Sequence, residues 1–322
     1  MASETRELTN SMRSKFAACH RAYKIAYVDM IRPLKTSDAL AFGTAMHALL
    51  EIYWSPAGHD LEAADAVLSR VEDRYVRAVL WELYQGYVDR YYAADHDLQR
   101  LAVEARFDAP LMNPETGGVS KTWHLAGKID AIAATPAGQP FIVEHKTTSR
   151  DIGPGSDYWR KLPIDGQVSG YYCGAQTLGF DVQECMYDVI RKPALKPYKA
   201  TPADKLKYNK DGSLSKLCRL EDESPEDFGA RVRFDIQSRP DYYYARLTVA
   251  RSQSDLVDYL YDVWAVGREI AEAERMGRFS RNPNSCSLFG GCEYFDVCTG
   301  CAGLDDATRF QKLETANPEL AN

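Results

Sequence analysis

The apolar run Phe141-Ile142-Val143 stops abruptly at three ionisable residues, Glu144-His145-Lys146, before Thr147-Thr148-Ser149. Such a run reads as a buried strand. Closing it with charges of opposite sign needs a reason, because unpaired charges are costly to bury. On a strand, Glu144 and Lys146 lie two residues apart and point to one face. A second carboxylate precedes them in Gly127-Lys128-Ile129-Asp130, which reads as the end of another strand. Two carboxylates are hard oxygen ligands suited to Mg²⁺ or Mn²⁺. The plain alternatives are a turn aspartate and a surface ion pair at a strand end. The combination favours a cation site with an ammonium beside it.

The chain has 322 residues, 45% hydrophobic and 26% charged, which suits one large domain with insertions or two small ones. No run approaches the length of a membrane span and no apolar signal core opens the chain. The expectation is a soluble, cytoplasmic protein with no membrane partner. Helical spacing predicts one helix over residues 10–30 carrying Cys19, and a second capped by Ser37 with Phe42, Met46, Leu49, Leu50 and Tyr53 facing a core. Residues 60–97 also read as helical. Residues 101–108, 123–133 and 141–146 read as strands, with turns at 113–118 and 136–138. A helix near 164–178, strands over 182–190 and 242–249, and an amphipathic helix over 253–276 follow. This order predicts an α/β fold with a central mixed sheet flanked by helices.

Three further residues fit the candidate site. His47 lies in Gly43-x-x-x-His47, one turn before Glu51 on the same helical face. A lone helical histidine is commonly a packing or surface residue; here it supplies an imidazole to join two carboxylates. Gln167 and Tyr171 are one helical turn apart and could touch a phosphate or orient the lysine.

The ordered set Gly-x-x-x-His, Gly-x-x-Asp, Glu-x-Lys and Gln-x-x-x-Tyr resembles the RecB-like branch of the PD-(D/E)xK nucleases. The resemblance covers about residues 37–175 and implies a restriction-endonuclease-like core. It implies that His47, Asp130 and Glu144 bind Mg²⁺ or Mn²⁺, joined by the main-chain carbonyl of His145, whose side chain points away. Lys146 would be the catalytic lysine, positioning water and stabilising transition-state charge. Gln167 and Tyr171 would support it. The expected activity is metal-dependent DNA hydrolysis by an exonuclease or flap-trimming enzyme in recombination, repair or end processing. The alternative is a non-catalytic nucleic-acid-binding or structural subunit of a recombination complex.

Eight cysteines are present, and Cys286, Cys292, Cys298 and Cys301 fall in one short C-terminal stretch. With no signal peptide, metal binding is the expectation over disulfides. Three thiolates in one loop need a fourth ligand, which Cys19 or Cys301 could supply. The layout looks like the iron–sulfur nucleases related to AddB and to the CRISPR-adaptation nucleases, which pair one cysteine before the core with three after it. That resemblance implies a 4Fe–4S cluster on Cys19, Cys286, Cys292 and Cys298. Thiolates also suit structural Zn²⁺. The longer Cys-x5-Cys spacing departs from those relatives. The expected division is a nuclease core over residues 1–281 and a cysteine module with a polar tail over 282–322, packed on the N-terminal helix.

Net charge is −7, which argues against an indiscriminate nucleic-acid coat. Residues 191–219 nevertheless hold nine basic residues against two acidic ones, with Tyr198 and Tyr208 interleaved. Proline and glycine make this stretch a loop or irregular insertion, placed near 191–240. It is either a solvated loop or an arm whose Lys196, Lys199, Lys205, Lys207 and Lys210 track DNA, single-stranded or with free ends. No Gly-x-x-x-x-Gly-Lys-Ser/Thr motif occurs, so any helicase or recombination motor would be a separate partner.

Overall fold

A computed structural model describes residues 5–320. From the N-terminus run β1 (Arg6–Leu8), α1 (Asn10–Ala18), α2 (His20–Tyr23) with a π-helical continuation, β2 (Ile31–Pro33), α3 (Asp38–Trp54), α4 (Leu61–Ser69) and α5 (Arg74–Asp95). Three long strands follow, β3 (Gln99–Met112), β4 (Val119–Ala134) and β5 (Pro140–Thr148). Then come α6 (Gly166–Thr177), β6 (Glu184–Arg191), α7 (Pro225–Ser238), α8 (Pro240–Tyr243), β7 (Tyr244–Ala250), α9 (Gln253–Met276), α10 (Phe295–Thr299) and β8 (Phe310–Lys312). No described helix is long and apolar enough to cross a membrane.

Six strands form one mixed sheet in the order β1-β4-β5-β6-β7, with β3 also paired to β4. Helices cover both faces, as expected of this restriction-endonuclease-like α/β fold. Ile132 and Ile142 enter a core with Met12 and Phe16 of α1, Val168 of α6 and Val263 of α9. Their neighbours Ala131 and Val143 enter a second core with Leu49 of α3, Leu83 of α5 and Val232 of α7. Burial on both faces explains why β5 reads as an unbroken apolar run.

Close helix–sheet contact depends on glycine at two points. A Cβ on Gly174 would meet the Phe107 ring at 2.5 Å, and one on Gly127 would meet it at 2.8 Å. Gly174→Ala is therefore expected to destabilise the fold by about 1–3 kcal/mol through overpacking, although alanine gains roughly 1 kcal/mol over glycine in an open helix. A urea melt measures the balance; a raised midpoint would show that Phe107 gives way freely.

Two expectations are corrected. The helix over residues 10–30 breaks at Cys19, which is extended at φ −163° and ψ 116°. Asn282 Nδ2 and Ser285 Oγ donate to the Ala18 carbonyl at 2.9 and 2.7 Å, so the chain's far end captures the terminus of α1. The basic stretch 191–219 is irregular as expected, and Ser224 then caps α7 with Pro225 in its first turn. Asp130 stands inside β4 rather than at a strand end. The tail also returns to the core: β8 pairs with β2, and Asn317 Nδ2 donates to Glu7 at 2.8 Å.

Candidate active site

Two strands part where the candidate site stands. The antiparallel β4–β5 ladder ends at the Ala131–Val143 rung, so Asp130 and Glu144 occupy the next position without pairing. Beyond the gap, β4 pairs with β1 only at residues 123–125. The His145 N–H donates to Asp130 Oδ2 at 2.8 Å. A side chain thus takes a donor that a longer ladder would have given to a carbonyl. A cavity of about 180 Å³ opens nearby, lined by Gly127, Lys128, Gln167 and Tyr171 among others.

Six residues singled out from the sequence meet here. Glu144 is fully buried, and the Lys146 ammonium donates to its Oε1. Lys146 also donates to Gln167 Oε1 at 2.9 Å, and Gln167 Nε2 donates to the Tyr171 hydroxyl at 2.6 Å. Asp165 fixes this chain of groups by capping α6 at the Gln167 N–H, 2.9 Å away. Its Asp-Gly-Gln pattern ahead of the helix was the available sequence signal. His47 reaches across from α3, its Nδ1 3.6 Å from Asp130 Oδ1. Gly43, one turn earlier, would place a Cβ 3.4 Å from Thr147 Oγ1, so α3 lies close on β5.

The electrostatics separate the two carboxylates. Burial pushes both toward neutrality, but the hydrogen bond and charge of His47, with His145 and Lys146, hold Asp130 well below the usual range. Burial and the Asp130 charge raise Glu144 despite Lys146 beside it. Burial opposes the Lys146 charge, yet Glu144 and Asp130 more than offset it and raise its pKa. Burial likewise opposes charge on His47, and Asp130 reverses that effect.

The donor set fits a divalent cation. Glu144 Oε2 is buried with no hydrogen-bond partner, leaving one carboxylate oxygen free one ladder position from Asp130, although the ligand atoms of His47, Asp130 and Glu144 do not all come within 4.8 Å of one another. Hard oxygens with one nitrogen suit Mg²⁺ or Mn²⁺. Glu51, expected on the His47 face, is exposed. The His145 imidazole lies on the opposite side of the sheet, 3.4 Å from Asp188.

Elsewhere, the ligand atoms of Glu7, Asp108 and His124 lie within 4.8 Å of one another, the one such trio among the described residues. Arg106 already binds both carboxylates, at 2.9 Å from Glu7 and 3.3 Å from Asp108. That group is an ion-pair network. Cys19, Cys286 and Cys292 line a cavity of about 860 Å³, while Cys301 is exposed. The Cys292 thiol is pushed up first by burial, then by Glu293, Cys298 and Cys19, which places those groups around it. No three of the thiols lie within 4.8 Å of one another among the described residues. Of the basic insertion, Lys199 pairs with Asp222 at 2.8 Å, whereas Lys196, Lys205, Lys207 and Lys210 are exposed.

Among solved structures, the chain is similar to a candidate exonuclease of Eubacterium rectale (11% identity, 92% of this chain and 88% of that one, TM-score 0.45). It is also similar to a phage-related exonuclease of Haemophilus somnus (13% identity, 72% and 94% covered, TM-score 0.31). No curated protein matches it. The sequence pattern of the PD-(D/E)XK nuclease superfamily matches residues 7–299. That span runs from β1 through the parted strands to Cys298 in α10, and it is on this match that the chain belongs to the PD-(D/E)XK nuclease superfamily.

Proposed function

We propose that this protein is a Mg²⁺- or Mn²⁺-dependent deoxyribonuclease, an exonuclease acting on DNA that is single-stranded or has free ends. The observation that carries this reading is the parting of β4 and β5 with Asp130, Glu144 and Lys146 in the gap. His47, Asp130 and Glu144 would hold the cation, with the His145 carbonyl. When bound, such a cation supplies Lewis acidity toward a phosphoryl oxygen and acidifies water. The Lys146 ammonium faces the same space and stabilises negative charge developing on the phosphate. Gln167 fixes its direction, and Tyr171 fixes Gln167. Tests of this chemistry begin with Mn²⁺-dependent digestion of end-labelled single- and double-stranded DNA. Labelled mononucleotides support the reading, and an inert protein with Mn²⁺ bound overturns it.

The insertion is rooted at the site. Lys192 N–H donates to the Thr148 carbonyl at 2.7 Å, two residues past Lys146. Farther out, Arg231 stacks on Tyr198 at 3.9 Å, and a bridge between Tyr208 and Leu214 shapes the tip. Lys196, Lys199, Lys205, Lys207 and Lys210 would track the DNA backbone. Replacing Lys205, Lys207 and Lys210 by Ala is expected to reduce the slope of log affinity against log salt by about 2, at roughly 0.7 per phosphate for a single strand. An unchanged slope in a filter-binding titration leaves that arm without a phosphate role.

Cys19, Cys286, Cys292 and Cys298 would hold a 4Fe–4S cluster that clasps the two ends of the chain. The layout of one cysteine before the core and three after it, similar to that of iron–sulfur nucleases, favours a cluster over a lone Zn²⁺. A role in recombination, repair or end processing beside a separate helicase agrees with this chemistry.

A further inference from the structure

A row of side chains crosses the sheet behind the candidate cation site. His145 on β5 stands in register with Asp188 on β6, and Asp188 with Arg246 on β7. His145 is 3% exposed and Asp188 fully buried. Helices α3 and α5 close the row from above. Arg246 donates to both oxygens of Asp95 at 2.7 and 2.8 Å and to the Tyr87 hydroxyl at 2.8 Å. Tyr53 donates to Asp95 at 2.9 Å, and Tyr87 donates to Asp188. The Arg246 guanidinium stacks 3.5 Å from the Tyr91 ring centre.

Two buried carboxylates and one guanidinium leave one negative charge over. It faces His145, whose Nδ1 is 3.4 Å from Asp188 Oδ2. Neither ring nitrogen of His145 has a hydrogen-bond partner, so this contact orients the imidazole. The front of the same residue holds the site, because its N–H is the donor to Asp130 Oδ2. No ladder rung beyond Ala131–Val143 ties β4 to β5. The placement of Asp130 against Glu144 therefore depends on this bond as well as on the His47 contact, and the bond depends on what holds His145 still.

We propose that Asp188 is a positioning residue for cation binding. It fixes the His145 side chain, and through the His145 main chain it fixes Asp130 against Glu144. This rests on the reading that Asp130 and Glu144 hold the cation. Buried charge networks are costly in desolvation and reward one geometry, and groups behind a metal site typically change affinity or activity 10–100-fold on mutation. Neighbours acting through one another also show non-additive effects.

Mn²⁺ binding followed by electron paramagnetic resonance tests this without relying on turnover. Asp188→Asn keeps the shape and removes the charge. It is expected to raise the Mn²⁺ half-saturation about 10-fold, leave KM for DNA unchanged, and regain most kcat at saturating Mn²⁺. His145→Ala should shift the midpoint similarly, and the double variant no further than either single one. Arg246→Lys, which loses the fork to Asp95, should shift it in the same direction and serves if Asp188→Asn does not fold. An unchanged midpoint with a lowered Tm would reduce the row to scaffolding, and additive effects would break the link through His145. If the wild-type protein binds no Mn²⁺, the cation reading itself falls, and this proposal with it.

Discussion

Lys146→Ala protein is expected to lose about 10²–10³-fold in kcat, the scale for removing one pre-organised charge-stabilising group, with little change in KM for DNA. Transition-state stabilisation that is absent from the ground state appears in kcat. Lys146 is placed for this by Gln167 at 2.9 Å and by the buried Glu144 carboxylate. The same substitution leaves Glu144 buried beside Asp130 with no ammonium. Removing one partner of a buried pair costs about 3–5 kcal/mol, less here because the lysine side chain is 27% exposed. The sign with pH follows from Glu144, whose pKa is already raised by burial and by Asp130. A carboxyl raised in the folded state contributes stability below its ordinary pKa, and loses it as the pH rises through the folded value. The stability gap between wild type and variant should therefore widen as the pH rises through about 8, where Glu144 ionises in the wild type but stays protonated without its ammonium, and Mn²⁺ should narrow it. Stopped-flow cleavage and melting curves across that range check both halves. Wild-type kcat in a folded Lys146→Ala protein would sink the assignment of the lysine.

What the sequence made legible was local. Helix α9 matches its expected span because Ser252 and Asp255 form a capping box and Gly277 ends the helix at φ 64°. Strand β5 was legible because Ile142 and Val143 are both fully buried, one in each core. The spacing of Glu144 and Lys146 then required a shared face, and the structure joins them, with Lys146 donating to Glu144 and to Gln167. What could not be read depends on partners remote in the chain. Nothing near Cys19 breaks a helix; the break follows from Asn282 and Ser285 capturing the Ala18 carbonyl. Strand β1 is three residues long and is defined by its parallel register with Trp123, His124 and Leu125. The row His145–Asp188–Arg246 needs the register of three strands. A buried aspartate inside the apolar strand ending at Val189-Ile190 was the one visible hint. Helix α7 went unassigned although Ser224, Pro225 and Asp227 carry a start signal, because the preceding lysines and prolines dominated the composition.

Cys19→Ser should cost the protein its proposed cluster, and Cys301→Ser should not. The geometry behind this is the broken helix: Cys19 stands between α1 and α2 with its backbone extended, beside the C-terminal module. Arg21 N–H donates to the Ser280 carbonyl at 3.0 Å, and Lys15 pairs with Glu293 across the same junction. Cys19 and Cys292 pack in one small core with Ala22, Ile25 and Tyr294, whereas Cys301 is exposed. A cluster held by Cys19 joins the first helix to the last segment and closes most of the chain into one loop. Cross-links over loops of such length remove about 5–6 kcal/mol of unfolded-state entropy in the chain-entropy model, and metal binding of this kind is linked to folding. Iron, sulfide and zinc analysis of both serine variants, beside their melting curves and absorption near about 400 nm for Cys-ligated iron–sulfur, reads the outcome. Loss of iron and a lower Tm in Cys19→Ser alone establishes the clasp. Full metal in Cys19→Ser with loss in Cys301→Ser would replace the clasp with a local four-cysteine knot, and a colourless wild-type protein with one zinc would replace the cluster.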